Sequence, residues 1–270
     1  MDDDFAEAAA AIFAGDTGRL AALLAADPTR ATATSPCGHP TLLQLVACEA
    51  ARLPAPVEAA RLLVAAGAAT AGPLVAAAGC DSRSVLEHLL DTGADIDGGE
   101  DWSPLDEALY WANAGIAELL VARGARVRAL STAAGLGEPA RLAAFLDGGR
   151  PAPAAGPIGS PFPDTVPHGL RHDPAAIVDH AFVTAVNCGR RATAAALLDI
   201  GAGVDARPPG FHWKGTALHA AVWRGDRDLV VWLLAAGADP AVRDGLVDSD
   251  AAGWAVHHGH PELVALLTAG

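Results

Sequence analysis

Apolar residues along this chain come in short bursts at helical spacing, each closed by a glycine or a polar stop. Leu86, Leu89 and Leu90 share one helical face ahead of Gly93, and Ile116, Leu119 and Leu120 repeat the arrangement ahead of Gly124. Taking the stop after each second helix as a register mark gives Asp27, Gly67, Gly93, Gly124, Gly149, Gly201 and Gly237, with the sequence running on to Gly270. Between the marks the pattern predicts pairs of short helices. These are 5–14 with 18–26, 41–50 with 57–65, 73–79 with 82–91, and 104–111 with 115–122. The second half continues with 131–136 and 139–146, 175–188 and 191–200, 216–224 and 227–235, and 251–258 and 261–268. One helix pair cannot bury its apolar stripe alone, but a stack of pairs makes a continuous core whose end units need polar caps. Asp2, Asp3 and Asp4 are expected to cap the first helix, and Ala269-Gly270 to stop the last.

The spacing is uneven, from 25 residues between Gly124 and Gly149 to 52 between Gly149 and Gly201. A short proline-containing insert, 51–56, separates the helices of the second pair. The long gap holds the segment Arg150 to Asp173, rich in proline, which is expected to avoid helix and follow an extended, fairly stiff path. Such a segment is either a surface loop or linker between two subdomains, or a lid that carries Phe162, His168, Arg171 and His172.

One unit spells its pattern out most completely. It reads Gly215-Thr216-Ala217-Leu218-His219-Ala220-Ala221-Val222-Trp223-Arg224-Gly225-Asp226, and then Asp228-Leu229-Val230-Val231-Trp232-Leu233-Leu234-Ala235-Ala236-Gly237-Ala238-Asp239. This resembles an ankyrin repeat, with Ala217 standing where the family has proline. The resemblance implies an all-α ankyrin-repeat solenoid of stacked helix-turn-helix units with an extended Pro-rich insertion. It would form a single domain over 1–270, with repeats one to five in 1–149, the insertion at 150–173 and repeats six to eight in 174–270. Against a family period of about 33 residues, repeats three and five would have lost most of the hairpin finger that joins repeats. It also implies a recognition module that binds a protein or peptide through a concave groove.

In that family the binding residues lie on the finger and at the two positions before the glycine that ends the first helix. Carried onto this sequence, those positions hold Tyr110 and Trp111, Asn187 and Cys188, Trp223 and Arg224, and His257 and His258, with Trp102 on an adjoining finger. Rigid aromatic rings are typical contact anchors, and Arg224 could hold a carboxylate or stack on a ring. Trp232 and Trp254 replace apolar family positions and are expected to pack. His219 and His260 match the repeat and are expected to join neighbouring repeats.

Composition narrows the chemistry. The chain is 51% hydrophobic but only 5% aromatic, which suits alanine-rich helices packed closely. A net charge of −14, with Lys214 the only lysine, argues against nucleic acid. The acidic N-terminus and the lack of a long apolar run point to a cytoplasmic protein without membrane spans. Four cysteines, Cys37, Cys48, Cys80 and Cys188, show no C-x-x-C spacing and are expected to be reduced thiols, three of them at groove positions. His257-His258-Gly259-His260 does not present converging ligands, because adjacent helical histidines diverge, so neither a metal nor a cofactor is expected. The alternative function is a small-molecule pocket in the groove, closed by the 150–173 insertion. It could be an acid/base isomerase, cyclase or hydrolase that uses His257 or His258, with Tyr110, Asp106 or Arg224 as partner.

Overall fold

The computed structural model describes residues 2–36, 40–98 and 102–268; Cys37 and the Ala269-Gly270 stop lie outside them. The chain divides into two compact units, Met1–Arg126 and Val127–Gly270. The proline-rich insertion therefore lies inside the second unit rather than at the boundary.

The first unit holds α1 (Asp2–Ala14), α2 (Thr17–Ala26), α3 (Leu42–Glu49), α4 (Pro56–Ala65), α5 (Ala71–Gly79), α6 (Arg83–Asp91), α7 (Pro104–Tyr110) and α8 (Ala114–Ala122). The first helices of successive pairs stack, α1 on α3, α3 on α5 and α5 on α7, while α2 on α4 and α4 on α6 form a second layer. Leu43, Leu63, Leu74, Leu86, Leu89, Leu105 and Ile116 fill the space between layers with no exposed surface. Ala47, Ala77, Ala78 and Ala108 are equally buried and let the stacked helices approach closely. Residues 66–70 are all that joins α4 to α5, so the third repeat has the shortened finger that its spacing implied.

The second unit contains α9 (Leu130–Leu136), α10 (Pro139–Leu142), the two-residue strands β1 (Leu146–Asp147) and β2 (Arg150–Pro151), then α11 (Pro174–Asn187), α12 (Arg191–Asp199), α13 (Ala217–Trp223), α14 (Arg227–Ala235), α15 (Ala251–His257) and α16 (Val264–Leu267). Here α9 packs on α11, α11 on α13 and α13 on α15.

A polar clasp recurs between repeats. The last carbonyls of a helix lack intrahelical donors, and a side chain from the next repeat supplies one. Ser82 Oγ donates to the Ala47 carbonyl at 2.5 Å, and Asn113 Nδ2 donates to those of Ala78 and Gly79, both at 2.8 Å. In the second unit Arg190 Nε donates to Gly135 O at 3.1 Å and Arg224 Nη1 to Asn187 O at 2.9 Å. A finger-to-finger ladder accompanies the clasps. The Arg126 amide donates to Asp97 at 2.8 Å, and that of Asp239 to Asp205 at 3.0 Å.

Three expectations change. The helix expected over 139–146 ends at Leu142, passes through a 3₁₀ turn at Ala143–Phe145 and becomes β1, because Gly148 and Gly149, at φ +55° and +78°, turn the chain into a hairpin with β2. The insertion is not extended. It forms 3₁₀ turns at Pro153–Ala155, Pro163–Thr165 and His168–Leu170, two of them opened by a proline whose fixed φ suits the first position of a turn. At the N-terminus α1 already begins at Asp2, so the three aspartates lie in its first turn rather than before it. Asp4 pairs with Arg30 at 2.8 Å.

Candidate functional site

In the first unit, α7 is opened by a capping box. The Asp106 amide donates to Ser103 Oγ at 3.1 Å, and the Asp106 carboxylate accepts from the Ser103 amide at 3.2 Å and hydroxyl at 2.6 Å. Asp106 is thereby committed to the helix start. Tyr110, expected at an exposed position, is 3% exposed, its ring edge-on to Trp102 (6.0 Å between centroids) and Trp111 (5.2 Å). Between the two indoles lies a residue that the sequence reading passed over. Glu107 accepts from Trp102 Nε1 at 2.5 Å and from Trp111 Nε1 at 2.8 Å. Burial raises its pKa, and the two indole bonds offset only part of that rise. Gly79 makes room for it, since a Cβ there would stand 2.6 Å from Glu107 Oε1. Desolvation first, and then a hydrogen bond with Cys80, push the thiol of Cys48 up to about 12.

The second unit contains a cavity of about 360 Å³ with an almost wholly apolar lining. One wall is the finger residues His212 and Trp213, and the next is Trp223 at the end of α13. The 244–249 loop adds Leu246, Val247 and Ser249, α15 adds Gly253, Trp254 and His257, and the residue that caps it, His258, lines the cavity too. The rings lean steeply on one another. Trp213 meets Trp223 at 5.5 Å and 71°, Trp223 meets His258 at 6.0 Å and 40°, Trp254 meets His258 at 5.2 Å and 47°, and His257 meets His258 at 4.9 Å and 88°.

Asp244 organises one side of this cavity. Its carboxylate accepts from the amides of Leu246 and Val247, each at 2.7 Å, of Ser249 at 2.9 Å, and from Trp254 Nε1 at 3.0 Å. Burial pushes its pKa up, but the bonds from Val247, Trp254, Ser249 and Leu246 outweigh it and bring it to about 2. The loop is tied to the neighbouring finger by the Gly245 amide on Lys214 O at 3.1 Å. His219 completes the brace. The Thr216 amide donates to its Nδ1 at 3.1 Å, which leaves the Nε2 proton for the Ser249 carbonyl at 3.3 Å. That contact joins repeats seven and eight. His260 presses its ring onto Gly225, where a Cβ would come 2.4 Å from Cε1.

The insertion meets the finger that lines the cavity. Ser160 Oγ donates to Gly210 O at 2.7 Å, the Gly210 amide donates to Thr165 O at 3.4 Å, and Phe162 lies 5.2 Å from the His212 ring. His168 and His172 are exposed, and Arg171 contributes its carbonyl to the Ile158 amide at 2.8 Å. Of the four residues expected on a lid, Phe162 meets a lining residue.

Of the other groove positions in this unit, Asn187 and Cys188 are buried at 2% and 8% exposure, and burial pushes the Cys188 thiol up to about 12. Arg224 is engaged with the Asn187 carbonyl. Trp232 carries the Arg191 guanidinium 5.8 Å above its ring, and Trp254, expected only to pack, also lines the cavity. The acid/base scheme finds its partners occupied. Asp106 and Tyr110 are engaged within the first unit, and Arg224 belongs to an inter-repeat clasp. Burial lowers the pKa of His212, and burial followed by the charges of His257 and His260 lowers that of His258. Among the described residues no group of three or more His, Cys, Asp or Glu is placed to hold a metal ion, and no helix is long and apolar enough to cross a membrane.

The family model for the ankyrin repeat matches residues 215–245, which run from the start of repeat seven into the Asp244 loop. Among 341 matching chains of solved structures, the ankyrin repeat domain of human ASB11 is 18% identical, with 96% of each chain covered and a TM-score of 0.42. No curated protein matches.

Proposed function

We propose, taking this chain as the ankyrin-repeat protein that its helix pairs and residues 215–245 make it, that it is a recognition module whose second unit holds a partner protein at the aromatic cavity. Ankyrin repeats are generally protein-interaction modules. One observation carries the finer reading: three tryptophans and three histidines line one cavity, with Trp213 and Trp254 buried at 1% and 7% exposure and His257 exposed. Its rim is apolar and open, with Leu246 at 56%, Val247 at 66% and the neighbouring Val256 at 65% exposure. Exposed apolar residues beside an aromatic pocket have the anatomy of a hot spot with its surround.

Selection of displayed peptides on the full chain tests this. Enriched peptides should lose binding to Trp223→Ala and to Val247→Asp, and keep it with Phe13→Ser, an exposed change in the first unit. Binding that tolerates both cavity substitutions would refute the proposal.

A further inference from the structure

The lining of the cavity specifies more than apolar contact. Its walls are π systems set at 40° to 88° to one another rather than in parallel stacks. Trp254 donates its indole N–H to Asp244, a buried carboxylate that gives the ring an anionic neighbour and enriches its face. Two nearby cations are engaged, Arg224 with the Asn187 carbonyl and Arg243 with Asp248 at 3.5 Å; Lys214 follows the lining Trp213 and lies against Gly245, but the chain as a whole carries −14. Ring faces backed by negative charge attract a cation.

Which cation follows from what is scarce. Ser249 and the imidazole nitrogens are the few acceptors in the lining. A primary ammonium brings three N–H donors and would leave donors unsatisfied in such a place, whereas each methyl group removes one donor, so that a trimethylated ammonium brings none and buries its methyl groups. The cavity, at about 360 Å³, admits such a head group with the carbons that carry it. We propose that it takes an N-methylated ammonium group presented on a lysine side chain of the partner protein, an inference that rests on the cavity being the recognition site. A protein-borne source is favoured over a free small cation by the exposed rim of Leu246, Val247 and Val256, which needs a covering surface.

The test is calorimetric titration of the full chain with three acetylated, amidated amino acids: trimethyllysine, lysine, and the neutral analogue with carbon in place of the ammonium nitrogen. Trimethyllysine should bind at least about 10-fold more tightly than either comparator. Trp223→Leu should abolish that binding. Should this variant misfold, His257→Arg, an exposed change in the lining, should weaken the charged probe by about 10-fold more than the neutral one. Equal binding of the neutral analogue would overturn the cationic inference while the aromatic cavity stood as a recognition site. Equal binding of lysine would overturn it too. Failure of all three probes would overturn it as well, and loss of peptide binding in Trp223→Ala would then decide the broader reading separately.

Discussion

Two buried residues set testable limits on the second unit. His180 stacks on Phe211 at 4.7 Å and 21°, and its Nε2 is buried without a hydrogen-bond partner among the described residues. Burial lowers its pKa to about 4. A base whose folded pKa lies below the unfolded value of about 6.5 leaves stability intact above that value, and stability falls as the pH drops toward 4 because only the unfolded chain takes the proton. The loss should amount to about 3 kcal/mol across that window, and His180→Leu should flatten it in urea titrations at stepped pH. Asp244 is the other. Asp244→Asn turns an acceptor of four bonds into a group with an N–H₂ facing donors, and should cost about 2–3 kcal/mol. The same change should shift tryptophan emission as Trp254 loses its bond, whereas an unaltered spectrum would show that the carboxylate does not fix the ring.

Among the elements, the inter-repeat clasp explains why short helices of seven to nine residues persist in a stack. Asn113→Ala would leave the Ala78 and Gly79 carbonyls without their donor, and thermal unfolding should show a loss of about 1–2 kcal/mol. Helix pairs and their stops were legible in the sequence because periodicity and glycine are local signals. Gly93 and Gly237, both read as register marks, sit at φ +91° and +95°, where a side chain is strained. The cavity was legible only in part. Trp223, His257 and His258 were found because a repeat fixes which helix positions vary. His212 and Trp213 were missed because fingers have no period, and Glu107 because its indole partners lie five residues before it and four after it on two different structural elements. The tie from Ser160 to Gly210 spans 50 residues, which no local pattern reports.

At the scale of the whole molecule, charge and the insertion matter most. A chain at −14 should steer a basic partner, so raising ionic strength should slow association markedly while changing dissociation little, as stopped-flow measurement would reveal. The insertion between β2 and α11 looks dispensable by composition, yet it grips the finger that forms one wall of the cavity. Replacing 152–172 by a short flexible linker should keep the helical signal and strip the cavity of that wall. Repeat proteins are commonly treated as strings of interchangeable parts. Here repeats seven and eight, moved alone onto another scaffold, would carry their tryptophans with them but not their binding, because the segment that holds the pocket in shape was written into the chain some 50 residues earlier.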